Sequence, residues 1–118
     1  MKRELENRLV SLSLNIERLC KNLKDGFMSE HLSKQIIRSS TSAALNYGEA
    51  QSAESRNDFI HKISIVLKEL RETQISLNLL SGSITNGQET QMQACQKECG
   101  ELVAIFHKTV MTAKSKAR

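Results

Sequence analysis

Side chains able to do chemistry are few in this chain, and they are scattered. Asn46 and Glu49 stand one turn apart in "SSTSAALNYGEA", residues 39–50, among otherwise small side chains. A carboxylate working as a general acid or base needs a second carboxylate, a histidine or a metal beside it to tune its proton affinity. His61 is the candidate neighbour for Glu49. The ordinary alternative has Glu49 pairing with a base such as Arg56 or Arg71, while Asn46 hydrogen-bonds a neighbouring helix. His31, His61 and His107 fall on three different helical segments, none beside a serine or cysteine in a nucleophile motif. Gly26, Gly48, Gly82, Gly87 and Gly100 are dispersed, so no glycine loop is set to cradle a phosphate. Cys95 and Cys99 are four apart and share a helix face, with Cys20 far away in sequence. Two thiolates cannot complete a zinc site, and no Cys-x-x-Cys or histidine at ligand spacing supplies the rest. Reduced, buried thiols are expected. These residues predict no catalytic site, no metal and no cofactor.

Charge is more informative. The chain carries 17 Lys and Arg against 13 Asp and Glu, a formal net charge of +4. The last acid is Glu101; Lys108, Lys114, Lys116 and Arg118 follow it, so residues 1–101 balance and the basic excess is C-terminal. Cations at a helix C-terminus complement the macrodipole, and several such ends gathered by an oligomer would attract nucleic acid. Lys108, Lys114, Lys116 and Arg118 are therefore the leading candidates for phosphate contacts, with Arg38, Arg56 and Lys62 behind them. Phe27, Tyr47, Phe59 and Phe106 are the only Phe and Tyr residues, and most fall on core stripes. Base stacking is accordingly disfavoured, and shape-led, salt-dependent binding to structured RNA or DNA is expected.

Long helices must position these groups. The chain has no proline and no clustered alternating β formers; Leu, Glu, Lys, Gln, Ser and Ala dominate. Charge at helical spacing through "MKRELENRLVSLSLNIERL" speaks against a signal peptide or membrane span, so a soluble, cytoplasmic protein is expected. Leu5, Leu9, Leu12, Ile16, Leu19 and Leu23 form a heptad seam, predicting a first helix over about 3–24 that ends at Asp25-Gly26. A second spans about 29–51. Ser55 caps a third over 56–80, with Asp58 three residues on in the manner of a capping box. Thr85-x-x-Gln88 opens a fourth over 87–113, followed by a basic tail, 114–118. Four amphipathic helices of similar length with short connections predict an all-α, antiparallel up-down-up-down four-helix bundle in one domain, 1–118.

The second helix is unusual. Ile36, Ser40, Ala43, Tyr47 and Ala50 form a core stripe. Ile37, Thr41, Ala44 and Gly48 form a second stripe, small and uncharged, and Gln35, Ser39, Ser42, Asn46 and Glu49 a third. A helix without a broad charged face is usually covered on more than one side. Ile37, Thr41, Ala44 and Gly48, with Asn46 and Glu49, are therefore expected at a contact between subunits. Ile60, Ile65, Leu67, Ile75 and Leu79 fall outside the core line of the third helix and point the same way.

The segment "NYGEAQSAESRNDFIHKISIVLKELRET" resembles the four-helix bundle proteins encoded in intervening sequences of bacterial large-subunit ribosomal RNA genes. The similar elements are Asn46 and Glu49, then Asp58, Phe59 and Ile60, then Lys68, Glu69, Glu72 and Thr73, with "CQKECGELVAIFHKTVMTAK" similar to the closing helix. The likeness runs from about residue 5 to Lys114. It implies a homopentamer, a ring of bundles. It also implies kinship with the accessory variability determinant of diversity-generating retroelements, which works with a reverse transcriptase and nucleic acid. Two functions are expected to compete. One is a non-enzymatic homo-oligomeric scaffold that binds structured RNA through phosphates; the other is a protein-interaction adaptor that ignores nucleic acid.

Overall fold

In the computed structural model, which describes residues 2–117, the protein is all-α. Four helices, α1 (Lys2–Cys20), α2 (Phe27–Gln51), α3 (Arg56–Leu80) and α4 (Glu89–Lys116), are joined by short connections, with a 3-10 turn at Ser81–Ser83. The described residues contain no strand. No described helix is long and apolar enough to cross a membrane. The helices surround one elongated core in a body measuring 49 × 23 × 20 Å.

That core is built from the heptad and helical stripes. Leu9, Leu12, Ile16 and Leu19 of α1 meet Ile36, Ala43 and Tyr47 of α2, Ile63, Val66, Leu70, Leu77 and Leu80 of α3, and Met92, Cys99, Leu102 and Phe106 of α4. Tyr47 and Phe106 pack edge to face, with ring centroids 5.4 Å apart and an interplanar angle of 82°. Leu67, expected on an outer face, lies instead in the core, whereas Ile75 and Leu79 are exposed.

Boundaries of three helices differ from the sequence expectation. α1 stops at Cys20 although Leu23 continues the seam, because the connecting backbone finds partners elsewhere. Lys24 N–H donates to Ser83 O at 2.8 Å, and the Thr85 hydroxyl donates to Asn22 O at 3.1 Å. Gly26 does not close α1 in a left-handed turn. Its φ of 162° is extended, and it precedes α2, which starts two residues before Ser29. Ser29 is buried and its hydroxyl donates to Lys24 O at 2.6 Å. Finally, α4 starts at Glu89 and continues to Lys116, so Lys114 and Lys116 lie on a helix rather than in a tail. Arg118 lies outside the described residues.

The caps follow from local chemistry. Ser55 Oγ accepts from Asp58 N–H at 3.0 Å, and the Asp58 carboxylate reaches back to Glu54 N–H at 3.4 Å. At the start of α4 the expected Thr85 cap does not form: Gln88 holds the cap position without a side-chain cap bond, and its Oε1 instead accepts from both the backbone N–H and the hydroxyl of Thr85, at 2.9 and 3.1 Å. Its Nε2 donates across to Leu19 O at 3.0 Å. Gly87, with φ of 92°, supplies the left-handed turn ahead of α4.

Candidate functional site

The basic residues divide into those with carboxylate partners and those without. Arg38 of α2 holds Glu69 of α3 at 3.0 Å and also contacts Glu72. Lys62 is 2.6 Å from Glu49, and Arg8 joins α1 to Glu98 and Glu101 of α4 at 2.7 and 3.0 Å. Arg56, Lys108, Lys114 and Lys116 are exposed and make no ion pair among the described residues.

Two helix ends bring three of these four together. On α4, Lys108, Thr112 and Lys116 recur every four residues and so lie along one side, with Ile105 and Thr109 beside them. Ser55 fixes the start of α3, placing Arg56 in its first turn and Phe59 one turn-step beyond. These residues and Ala113 line an open groove of about 420 Å³. Its floor is apolar, from Phe59, Ile105 and Ala113; its rim is cationic, from Arg56, Lys108 and Lys116. No carboxylate among the described residues lines it. The positive end of the α3 dipole reinforces the rim, while Lys114 and Lys116 offset the negative end of α4. Lys114 is exposed on α4 but does not line the groove. Arg38 and Lys62 are engaged elsewhere, by Glu69, Glu72 and Glu49.

The second feature is an apolar face between α1 and α2. Val10, Ser13 and Leu14 of α1 and Thr41, Ala44 and Leu45 of α2 line a shallow groove of about 330 Å³. Leu45 is 68% exposed, with Val10 and Leu14 exposed beside it. Ile37 and Ala44 are half-buried against the core. Thr41 is exposed, its hydroxyl turned back to Ile37 O at 2.7 Å. A Cβ added at Gly48 would meet nothing within 4 Å, so packing within one chain does not require a glycine there. Ser13 Oγ, in the same groove, is buried without a hydrogen-bond partner among the described residues. Thus the small uncharged stripe of α2 borders an apolar surface whose larger members, Val10, Leu14 and Leu45, sequence spacing did not single out.

Asn46 and Glu49 lie towards α3. Asn46 Nδ2 donates to Ser42 O and Ser42 Oγ of its own helix, at 2.9 and 3.1 Å, rather than to a neighbouring helix. Glu49 is bound by Lys62 rather than by Arg56, Arg71 or His61. His107 Nδ1 lies 3.2 Å from the Arg71 guanidinium, on another face. Burial pushes the thiols up, Cys95 to about 11 and Cys99 to about 12, so both stay protonated near neutral pH. No group of three His, Cys, Asp or Glu side chains stands ready for a metal among the described residues.

The family model of the 23S rRNA-intervening sequence protein matches residues 3–108. No curated protein matches the chain. Among solved structures, the chain is similar to a protein of unknown function from the S23 ribosomal protein family of Bacteroides thetaiotaomicron. The two are 31% identical, with a TM-score of 0.75 over 94% of this chain and 99% of that one. With four helices around one core, matched over nearly their whole length, this chain belongs to the 23S rRNA-intervening sequence protein family.

Proposed function

We propose that the protein is a non-enzymatic scaffold that binds structured RNA through phosphate contacts. In this reading it is an antiparallel up-down-up-down four-helix bundle that assembles as a homopentamer in the cytoplasm. One observation carries the RNA reading: Arg56, Lys108 and Lys116 converge on one groove that no carboxylate among the described residues lines. Three cations gathered on one concave surface favour positive potential at the groove, where several phosphates can be met together. Antiparallel order is supported by contacts between helices: Glu49 meets Lys62 whereas Arg38 meets Glu69, and Gln88 meets Leu19 whereas Glu98 meets Arg8. The apolar face at Val10, Leu14 and Leu45, with open space above Gly48, supports assembly through α1 and α2. Protonated, buried thiols and a Glu49 tied to Lys62 support the absence of catalysis.

The decisive experiment is RNA binding by the full chain over a salt series. Affinity for a hairpin RNA is expected to fall steeply with salt, by about 0.7–0.9 in log K per log salt for each phosphate contact. Arg56→Gln, Lys108→Gln and Lys116→Gln together should flatten that slope by two to three contacts. Flat or absent binding at low salt sinks the reading. A second reading, the protein adaptor, is favoured by Phe27, which is 95% exposed, and by exposed Met28, Ile75 and Leu79. In that case a protein such as a reverse transcriptase is captured without nucleic acid, and the triple substitution leaves capture unchanged.

A further inference from the structure

We infer that the groove between the start of α3 and the end of α4 holds one unpaired nucleotide, its base on the apolar floor and its phosphate on the cationic rim. This inference rests on the RNA reading and adds a base-contacting point to a surface otherwise expected to touch phosphates alone. Phosphate contact needs only charge, and an exposed helix face would supply it. Here the cations instead surround a concavity of about 420 Å³ whose floor is Phe59, Ile105 and Ala113. That volume falls within the roughly 300–1,000 Å³ usual for small-molecule sites. An inorganic anion would leave the floor uncovered, and a purely apolar ligand would leave three cations without a counter-charge. A flat aromatic base joined to a phosphate uses both.

Phe59 is the aromatic that makes this feasible. Tyr47 and Phe106 are buried against each other, and Phe27 stands fully out in solvent. Phe59 alone is half-buried and lines a cavity with cations beside it. Base stacking on an aromatic side chain is tolerant of base identity, so little preference among the bases is expected. Thr109 has its hydroxyl committed to Ile105 O at 2.9 Å, whereas Thr112 is exposed on the rim.

The test titrates the full chain with adenosine 5′-monophosphate, adenosine, inorganic phosphate and decanoate at equal ionic strength, followed by side-chain NMR. The monophosphate should bind at least tenfold more tightly than adenosine or phosphate and shift the Phe59 ring signals. Phe59→Leu should weaken it at least fivefold while leaving phosphate binding unchanged. Should Phe59→Leu fail to fold, Thr112→Glu, on the exposed rim, should abolish monophosphate binding through repulsion. Equal affinity for phosphate and monophosphate overturns the inference, as does tighter binding of decanoate, which would make the groove an acyl-anion site. Salt-dependent RNA binding without any monophosphate binding ends the inference and leaves the RNA reading standing. Monophosphate binding with no RNA binding ends the RNA reading and, with it, the claim that the nucleotide belongs to an RNA chain.

Discussion

Buried ionisable groups set how this protein responds to pH. Cys99 is fully buried and its thiol donates weakly to Leu70 O at 3.4 Å. Burial raises it from an ordinary 9.0 to about 12, and Cys95 to about 11. Below pH 9 both thiols are protonated, folded or unfolded, and their contribution is fully present. Between pH 9 and 12 the unfolded chain releases protons that the folded chain keeps, so stability falls as pH rises. Urea unfolding at pH 8, 9.5 and 10.5 should show that decline, and Cys99→Ala should reduce it. At pH 8 a thiol reagent should modify half-buried Cys20 first, with Cys95 and Cys99 reacting at least tenfold faster in denaturant. On the acid side, burial works to raise the Glu69 carboxyl, but hydrogen bonds from Arg38 and Ser42 outweigh it and hold it below the usual range. Hydrogen bonding from Arg8 holds Glu98 below that range as well. Both contributions are present above the ordinary carboxylate value and are lost as pH falls through the lowered folded ones.

Along α2, composition made the core stripe readable and left the polar partners hidden. Ile36, Ser40, Ala43, Tyr47 and Ala50 are all buried, as their spacing predicts. Charge pairing depends on the register between helices, which one sequence does not display; hence Lys62, and not Arg56 or Arg71, binds Glu49. The end of α1 is hidden for a related reason, since Leu23 keeps the heptad while hydrogen bonds to Ser83 and Thr85 draw the backbone out of the helix. Two substitutions probe α2. Arg38→Met leaves the Glu69 carboxylate, with only 8% of its side chain exposed, short of its main partner. Discounting for a half-exposed Arg38, the expected loss is about 1–2 kcal/mol by urea denaturation. Gly48→Ala should add about 0.5–1 kcal/mol to an isolated chain, because alanine is the better helix former and nothing stands within 4 Å. If a second subunit occupies that space, light scattering will instead show a smaller assembly.

At the scale of the whole molecule, the two ends differ. The groove was only partly legible: Lys108 and Lys116 stood out by charge, but pairing them with Arg56 and Phe59 required knowing that α3 begins where α4 ends. The other end carries a dense set of bonds among connections, from Gln88 to Leu19 and Thr85, Thr85 to Asn22, and Lys24 to Ser83. Side chain and backbone together sew the α1–α2 and α3–α4 connections into one seam, about 40 Å along α4 from the basic rim. Thermal fluctuation is then lopsided. Amide exchange should be slow near the seam and quick where α4 ends, so a ligand held there would act as the missing stitch.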